Sequence, residues 1–301
     1  MTYMLPIVLA LLALTPQEKM QQVMGPLPPR PTNAPAVKIL EEIDLGFALR
    51  RKITYEAEPG DHVPAYLFLP KSNGRHKAML CLHQTTKIGK AEPAGLGPKA
   101  ELHYALQLAQ RGYVTLAPDY PNFGDYVLDA YSHGYQSATM KGILNHLRAV
   151  DILASLPQVD RSKMGVIGHS LGGHNALFAA AFDPRLKAVV TSCGFTAFAK
   201  YYGGNLTGWS HKGYMPRIAD VYGKDPARMP FDFTDVLAAI APRALFVNAP
   251  LHDANFDVEG VRQTVATFKG KKLVVEYPDA GHSFPDAVRQ RAYEFLDRHL
   301  R

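Results

Sequence analysis

Short apolar runs alternate with longer stretches of helical spacing over most of this chain. The apolar runs lie at 78–82, 113–117, 163–168, 186–192, 244–249 and 273–277. The helical stretches follow them at 101–111, 137–156, 171–182, 258–268 and 286–300. Strands that are apolar on both faces and separated by helices are typical of a parallel sheet covered on each side. The pattern predicts an α/β fold with a mostly parallel central sheet and helices on both faces.

A pair of strands precedes this alternation. Residues 43–55 and 63–69 are rich in β-formers, and Glu58-Pro59-Gly60-Asp61 between them is a turn signal. Two such stretches joined by a short turn predict a β-hairpin. We therefore expect an N-terminal antiparallel hairpin that leads into the parallel sheet.

One long segment, 194–233, breaks the alternation. It contains Gly203-Gly204, Gly208, the single Trp209, His211 and Tyr214. About 40 residues is far more than the usual connection of about 4 to 6, and such long segments are often functional. The segment predicts an irregular lid or pocket insertion over the sheet. A structural excursion with its own small aromatic core is the alternative.

The N-terminal residues divide into two parts ahead of a single large domain at 39–301. Residues 5–14 are apolar but reach only about half of the ~20 residues that cross a bilayer. No integral membrane span is expected, and 1–15 is predicted to be a signal peptide, which implies a secreted or periplasmic protein. The alternatives are a misassigned start and a merely apolar tail, either of which implies a cytoplasmic protein. Residues 16–38 hold six prolines and predict a linker or surface tail.

Charge and cysteine content exclude several classes of protein. The formal net charge is +6, but the charges are scattered, so nucleic acid is not expected as a partner. The two cysteines, Cys81 and Cys193, lie in apolar runs and are interpreted as core residues instead of a disulfide or metal site. No glycine-rich phosphate loop or zinc-spaced histidine pair occurs, so no metal or organic cofactor is expected.

The stretch GHSLGG, residues 168–173, places Ser170 between a predicted strand and a predicted helix. A serine in a G-x-S-x-G turn of this kind is held in a strained conformation, and flanking glycines remove side chains that would collide. The helix that follows offers free N–H groups to a developing oxyanion. Ser170 is therefore predicted to be a nucleophile, with a helix N-cap serine as the alternative.

A serine nucleophile needs a histidine base and a carboxylate that orients the base. His282 is the best placed histidine, because it lies in a loop after the last predicted strand. Loops that leave the C-terminal ends of parallel strands converge at one edge of the sheet. His299 and His146 lie within predicted helices and are interpreted as surface or packing residues.

Two aspartates compete for the orienting role. Asp253 lies in the loop just after the strand at 244–249 and has no other evident duty. Asp257 directly precedes a predicted helix and is explained as its N-cap. Asp279 is near His282 in sequence, but a turn or helix-start role is favoured for it. Asp253 is therefore predicted to be the acid.

The order Ser170, Asp253, His282 separates this chain from the other common serine-triad orders. With the strand-to-helix turn, it resembles the α/β-hydrolase superfamily from about 43 to 300. The Pro-Ala-Tyr-Leu-Phe-Leu-Pro hairpin and the Leu-His-Asp-Ala-Asn-Phe loop are similar to the branch of dienelactone hydrolases, acetyl xylan esterases and prolyl oligopeptidases. The resemblance implies two oxyanion donors, the N–H groups of Leu171 and of Thr85, with Gln84 as the alternative to Thr85.

The chain departs from each named group. Dienelactone hydrolases use a cysteine nucleophile, prolyl oligopeptidases carry a preceding propeller domain, and glucuronoyl esterases have an arginine where Leu171 stands. What the resemblance implies is a serine carboxylesterase that works through an acyl-enzyme and acts on a small-molecule or carbohydrate ester, such as an acetylated sugar. An oligopeptidase or aminopeptidase-like activity and a non-catalytic binding protein are the alternatives. Candidate residues for the pocket wall are His83, Tyr120, Trp209 and Tyr214.

Overall fold

A nine-stranded sheet organises the chain in the computed structural model, which describes residues 13–301. The strands are β1 Val37–Asp44, β2 Ala48–Glu58, β3 Asp61–Pro70, β4 His76–Leu82, β5 Val114–Pro118, β6 Val159–His169, β7 Leu186–Ser192, β8 Ala244–Asn248 and β9 Leu273–Glu276. The α-helices are α1 Pro16–Met24, α2 Tyr104–Gln110, α3 Ala138–Ser155, α4 Leu171–Phe182, α5 Arg217–Asp220, α6 Phe233–Ile240, α7 Val258–Val265 and α8 Asp286–His299. None of the described helices is both long and apolar enough to span a membrane.

The strand order is β1-β2-β3-β5-β4-β6-β7-β8-β9. The first three strands pair antiparallel, β3 also pairs antiparallel with β5, and all strands from β5 to β9 pair parallel. Parallel strands send their C-terminal ends to one edge, where the loops after β4, β6, β8 and β9 converge. The predicted mostly parallel sheet with an N-terminal hairpin is confirmed.

The apolar core lies on both faces of this sheet. One cluster packs residues of α1, α3, α4 and α6 against the sheet, and the other packs α2 and α8 against its opposite face. The parallel strands β4, β5, β7 and β8 are buried along nearly their whole lengths between these layers, and β6 is buried from Met164 onward. The continuous apolar runs in the sequence follow directly from this two-sided burial.

The N-terminal part differs from its prediction in two places. The expected single strand at 43–55 is two strands, β1 and β2, joined by a turn. The prediction of a linker or surface tail at 16–38 is wrong over α1, because Pro16 stands at the first helical position, where a missing N–H costs nothing. Thr15 and Glu18 form a capping box, and Met20 and Met24 are fully buried.

The predicted signal peptide, 1–15, falls mainly outside the described residues. Residues 13–15 are described, and Thr15 already caps α1. The segment 194–233 forms short helical turns and α5 around a cluster of aromatic side chains that includes Phe198, Trp209 and Phe233. The segment has an aromatic core and also contributes residues to the lining of a pocket.

Candidate active site

Ser170 lies in the turn that joins β6 to α4, with φ 55° and ψ −118°. A non-glycine residue with positive φ is strained, and such strain persists only where the surrounding structure holds it. Here the Ser170 N–H donates to the carbonyl of Ser192 at the end of β7 (2.8 Å), and Gly173 N–H donates back to the Ser170 carbonyl (2.8 Å). The turn therefore fixes the serine at the C-terminal edge of the sheet.

Two glycines allow the start of α4 to pack this closely. A Cβ on Gly172 would lie 1.9 Å from the carbonyl oxygen of Leu82, at the end of β4. A Cβ on Gly168 would lie 2.1 Å from the carbonyl oxygen of Gly172. Since both neighbours are backbone atoms, neither can move aside. The glycines of the GHSLGG stretch are thus required by contacts with another strand as well as by the turn.

The structure brings Ser170, His282 and Asp253 together in one hydrogen-bonded row. His282 Nε2 lies 2.9 Å from Ser170 Oγ, and His282 Nδ1 lies 2.9 and 3.0 Å from the two carboxylate oxygens of Asp253. The residues come from three different loops, 112 and 29 positions apart along the chain. This is the arrangement that a serine nucleophile, its base and an orienting acid require.

Backbone hydrogen bonds between the loops after β8 and β9 hold Asp253 and His282 close together. Beyond the ends of β8 and β9, Leu251 N–H donates to the carbonyl of Pro278 (2.9 Å) and His252 N–H to that of Ala280 (3.0 Å). The loop of Asp253 is therefore tied to the loop that presents His282.

Asp253 is held as a carboxylate by its partners. Its side chain is 1 % exposed, and burial raises its pKa, but the hydrogen bond from His282 and those from the Asn255 and Phe256 N–H groups outweigh burial and lower the pKa. The other two aspartates serve elsewhere. Asp257 caps α7 by accepting from two backbone N–H groups, as predicted, and Asp279 is exposed beside His252.

Two further histidines surround the serine, and both are neutral. Burial lowers the pKa of His169 and of His174 to about 3. The ring of His169 lies 4.9 Å from that of His282, and the ring of His174 lies 4.7 Å from Trp209. His146 is buried within α3, and His299 packs on Phe295 at the end of α8, as the sequence indicated.

A buried polar row beneath His282 was missed by the sequence analysis. Asn248, the last residue of β8, donates from its side-chain amide to Ser192 Oγ (2.8 Å) and to the carbonyl of Ser283 (2.9 Å). His169 Nδ1 lies 2.9 Å from the same Ser192 oxygen. The row ties the strand ends to the residue after His282. Its only sequence signal was a polar residue at the end of an apolar strand.

One group of potential metal ligands occurs within residues 13–301. It consists of Cys193, Asp253 and His282, whose ligand atoms lie within 4.8 Å of one another. These donors are already engaged, because Asp253 accepts from His282 and the Cys193 thiol donates to the carbonyl of Ser283 (3.3 Å). The cluster therefore fits a hydrogen-bonded row with an adjacent buried thiol better than an ion site.

The predicted oxyanion donors Leu171 and Thr85 line the same pocket as Ser170. Leu171 is the first residue of α4, and N–H groups in a first helical turn have no partner within the helix. Gln84 is buried, and its side chain donates to Glu92 (3.1 Å). The loop after β4 thus presents Thr85 to the pocket and packs the Gln84 side chain away from it.

The pocket beside Ser170 encloses about 170 Å³ and is open to solvent. Its other wall residues are His174, Tyr201, Gly208, Trp209, Tyr214, Asn255 and Phe256. Trp209 and Tyr214 are therefore on the wall, as predicted. His83 and Tyr120 are buried behind the wall, where His83 Nε2 accepts a hydrogen bond from the Tyr120 N–H (3.0 Å). They are packing residues and do not line the pocket. No wall residue carries a charge, since burial keeps His174 neutral.

The insertion at 194–233 is hydrogen-bonded to the rest of the protein through three successive backbone carbonyls. Those of Lys212, Gly213 and Tyr214 accept from Tyr131 OH (2.6 Å), Tyr120 OH (3.1 Å) and Thr139 N–H (3.2 Å), respectively. The hydroxyls of Tyr214 and Thr85, both in the pocket lining, are hydrogen-bonded to each other (3.2 Å). The insertion is consequently a fixed wall of the pocket.

The chain is similar in sequence to several known proteins. The prolyl oligopeptidase family matches residues 100–301. The putative hydrolase YtaP of Bacillus subtilis is 25% identical over 306 aligned positions, which cover 94% of this chain and 98% of that protein. The uncharacterized protein PA2218 of Pseudomonas aeruginosa is 33% identical over 165 residues, 52% of this chain; the match spans only 41% of that relative's length.

Solved structures share the fold. A glucuronoyl esterase from Solibacter usitatus superposes with a TM-score of 0.73 at 17% identity, covering 94% of this chain and 92% of that one. Acetyl xylan esterase 1 from Thermoanaerobacterium sp. gives a TM-score of 0.68 at 19% identity, covering 93% and 92%. The predicted α/β-hydrolase fold and hydrolase class are confirmed. The chain belongs to the prolyl oligopeptidase family of the α/β-hydrolases.

Proposed function

We propose that this protein hydrolyses carboxylic esters through an acyl-enzyme on Ser170, with His282 as the base and Asp253 as the orienting acid. The observation that carries the proposal is the unbroken hydrogen-bonded row from Ser170 Oγ through the His282 ring to the Asp253 carboxylate, at 2.9 Å for each link. The row ends beside an open pocket that also presents Leu171 and Thr85.

The chemistry follows from these positions. His282 Nε2 takes the Ser170 proton as Oγ attacks the ester carbonyl, and Asp253 stabilises the imidazolium that forms. The N–H groups of Leu171 and Thr85 stabilise the negative charge on the carbonyl oxygen. The alcohol leaves with the proton from His282. Water then attacks the acyl-enzyme with His282 again as base, which releases the acid and restores the serine.

The pocket supports a small, uncharged substrate group. A wall without charged side chains has nothing to pair with an ionised ligand group, whose desolvation would be uncompensated. The volume of about 170 Å³ suits a short acyl group such as acetyl. We propose carbohydrate esters as the substrate class. Its support is the shared fold of a glucuronoyl esterase and an acetyl xylan esterase.

An amide-cleaving activity is the second candidate, because the matching family is that of prolyl oligopeptidases. A peptidase that captures a free amino terminus needs acidic side chains at its site. The residues that line this pocket include no aspartate or glutamate. Ester hydrolysis is therefore favoured over aminopeptidase-like cleavage.

The test compares wild type with Ser170→Ala on p-nitrophenyl acetate and on alanine p-nitroanilide. We expect wild type to cleave the ester faster than the anilide, and Ser170→Ala to lose both activities while its thermal transition is retained. A fluorophosphonate probe should label wild type alone. Faster anilide cleavage would establish the peptidase, and an unlabelled, inactive wild type would establish a non-catalytic binding protein.

We also propose that the protein is exported. The support is the short apolar run at residues 5–14 of the sequence. N-terminal sequencing of protein recovered from the periplasm or the medium should begin after residue 10. Full-length protein confined to the cytoplasm would contradict export.

A further inference from the structure

Tyr202 has an unusual conformation for its residue type. Its φ is 45° and its ψ is 44°, and the next two residues, Gly203 and Gly204, also have positive φ (67° and 92°). Glycine adopts this left-handed region without steric cost, whereas tyrosine does not. An aromatic side chain at such a position is an outlier that suggests a function for the ring.

The Tyr202 ring stands at the rim of the pocket. It packs edge-on against the ring of Tyr201, a wall residue, with centroids 4.8 Å apart. Its hydroxyl donates to Asn255 Oδ1 (2.7 Å), and Asn255 is also a wall residue. Tyr202 is nevertheless 57% exposed. The contacts hold the tyrosine in place and leave much of it open to solvent.

Asn255 adds hydrogen-bond donors beside this ring. The bond from Tyr202 occupies the amide oxygen, and the Asn255 backbone N–H donates to Asp253 (2.8 Å). Within the described part of the chain, the Asn255 side-chain amide nitrogen donates to no protein acceptor. Its two N–H groups are available to a ligand at the pocket mouth.

We propose that Tyr202 and Asn255 form an outer subsite that binds the sugar ring of the substrate's alcohol part. A pyranose combines an apolar face of C–H groups with hydroxyls around its edge. The face would pack on the exposed Tyr202 ring, and a hydroxyl would accept from the Asn255 amide. The acyl group then occupies the pocket at Ser170. This inference rests on the proposed esterase function and assigns the alcohol side of that same site.

Three acetyl esters test the subsite with Tyr202→Asn and Tyr202→Phe. Asparagine tolerates the left-handed backbone and removes the ring, whereas phenylalanine keeps the ring and loses the hydroxyl. The substrates are ethyl acetate, p-nitrophenyl acetate and acetylated xylo-oligosaccharides. We expect Tyr202→Asn to raise KM for the oligosaccharides about tenfold with kcat unchanged. For ethyl acetate, both constants should stay within about twofold of wild type.

Tyr202→Phe should keep most of the oligosaccharide affinity, with KM raised less than about threefold. Tyr222→Phe, in the same insertion but outside the pocket wall, is the matched control for Tyr202→Phe and should leave KM for all three substrates unchanged. Equal losses on ethyl acetate and on the oligosaccharides would mean that Tyr202 is only structural, and no loss would also overturn the subsite. A loss confined to p-nitrophenyl acetate would assign it to aryl groups.

Different results would contradict the proposed function and the proposed subsite. If wild type hydrolyses ethyl acetate and p-nitrophenyl acetate but releases no acetate from xylo-oligosaccharides, the esterase stands and the sugar subsite is wrong. If wild type hydrolyses none of the three esters, the proposed function itself is wrong.

Discussion

The turn around Ser170 and the insertion at 194–233 face the same pocket from two sides and are held in different ways. At the turn, backbone meets backbone, because Gly168 and Gly172 leave no room for a Cβ. In the insertion, aromatic side chains pack on one another, and side-chain hydroxyls fasten the segment to the body. Backbone contacts cannot adjust, whereas side chains can move into other rotamers.

The difference suggests that the turn fixes the geometry of the reaction and that the insertion determines which substrates are accepted. A serine nucleophile needs a position fixed to within a fraction of an ångström, which rigid backbone contacts provide. The acyl and alcohol groups need a wall whose shape can differ between relatives, which a packed side-chain cluster provides. We therefore expect substitutions on the turn side to abolish turnover and those on the insertion side to redirect it.

The largest effect is expected at Asp253, the proposed orienting acid. Asp253→Asn should lower kcat for p-nitrophenyl acetate about 10³- to 10⁴-fold, because the His282 ring loses its orienting carboxylate. Asp257→Asn is the matched control. Since asparagine caps a helix as well as aspartate does, its kcat should stay within about twofold of wild type. The reverse ranking would move the acid role to Asp257.

Gly172→Ala tests the backbone contact itself. The added Cβ would lie 1.9 Å from the Leu82 carbonyl oxygen, so α4 must shift and carry Ser170 with it. We expect kcat/KM to fall about a hundredfold or more and the urea midpoint to drop. Near-normal activity would show that the turn is more adaptable than its contacts indicate.

Acid should destabilise the fold through three buried histidines, which lie on α3, β6 and α4. Burial lowers the pKa of His146, His169 and His174 to about 3, below the unfolded value of 6.5. The contribution of these histidines to the free energy of unfolding is therefore fully present above pH 6.5. It is lost as the pH falls towards 3, because the unfolded state binds protons that the folded state does not bind. Below pH 6.5, each histidine lowers the free energy of unfolding by about 1.4 kcal/mol for every unit by which the pH falls.

Urea unfolding between pH 7.5 and 5 measures this slope. His146→Met should remove about a third of the histidine contribution, because His146 is one of three such residues. An unchanged slope in His146→Met would mean that this histidine is protonated in the folded protein.

The smallest effect is expected on the insertion side. A Cβ on Gly208 would lie 2.2 Å from the Tyr201 hydroxyl, which is the far end of a side chain and can move. Gly208→Ala should thus change the ratio of acetate to butyrate ester hydrolysis about threefold and leave the Tm within about 2 °C of wild type. A loss as large as that of Gly172→Ala would erase the contrast between the two sides.

The strands and helices were largely predictable because their signals are local. The β4 to β9 runs and the helices α2, α3, α4, α7 and α8 matched to within a few residues, whereas α6, directly after the insertion, was not predicted. Ser170 could be found because the strand, the turn glycines and the helix are contiguous in sequence. By contrast, α1 was missed because Pro16 was interpreted as a helix breaker, whereas a first-position proline is compatible with a helix.

Other features of the site had no local signal. Asn248 is one polar residue at the end of an apolar strand, and its two side-chain bonds reach positions 56 and 35 residues away. Tyr202 lies between tyrosine and glycine neighbours, and nothing in that stretch indicates its left-handed backbone or its bond to Asn255. Such pairings follow only from the way the loops pack.

By itself, the sequence determined the parallel sheet, the strained turn at Ser170 and a short set of partners, Asp253 and His282 among them. These depend on hydrophobic period, glycine spacing and the rule that parallel strands end at one edge. Only the tertiary structure decided that Trp209 and Tyr214 form the pocket wall while His83 and Tyr120 lie behind it. The reason is physical: identical aromatic residues differ in role only through contacts between distant segments, which no local pattern encodes.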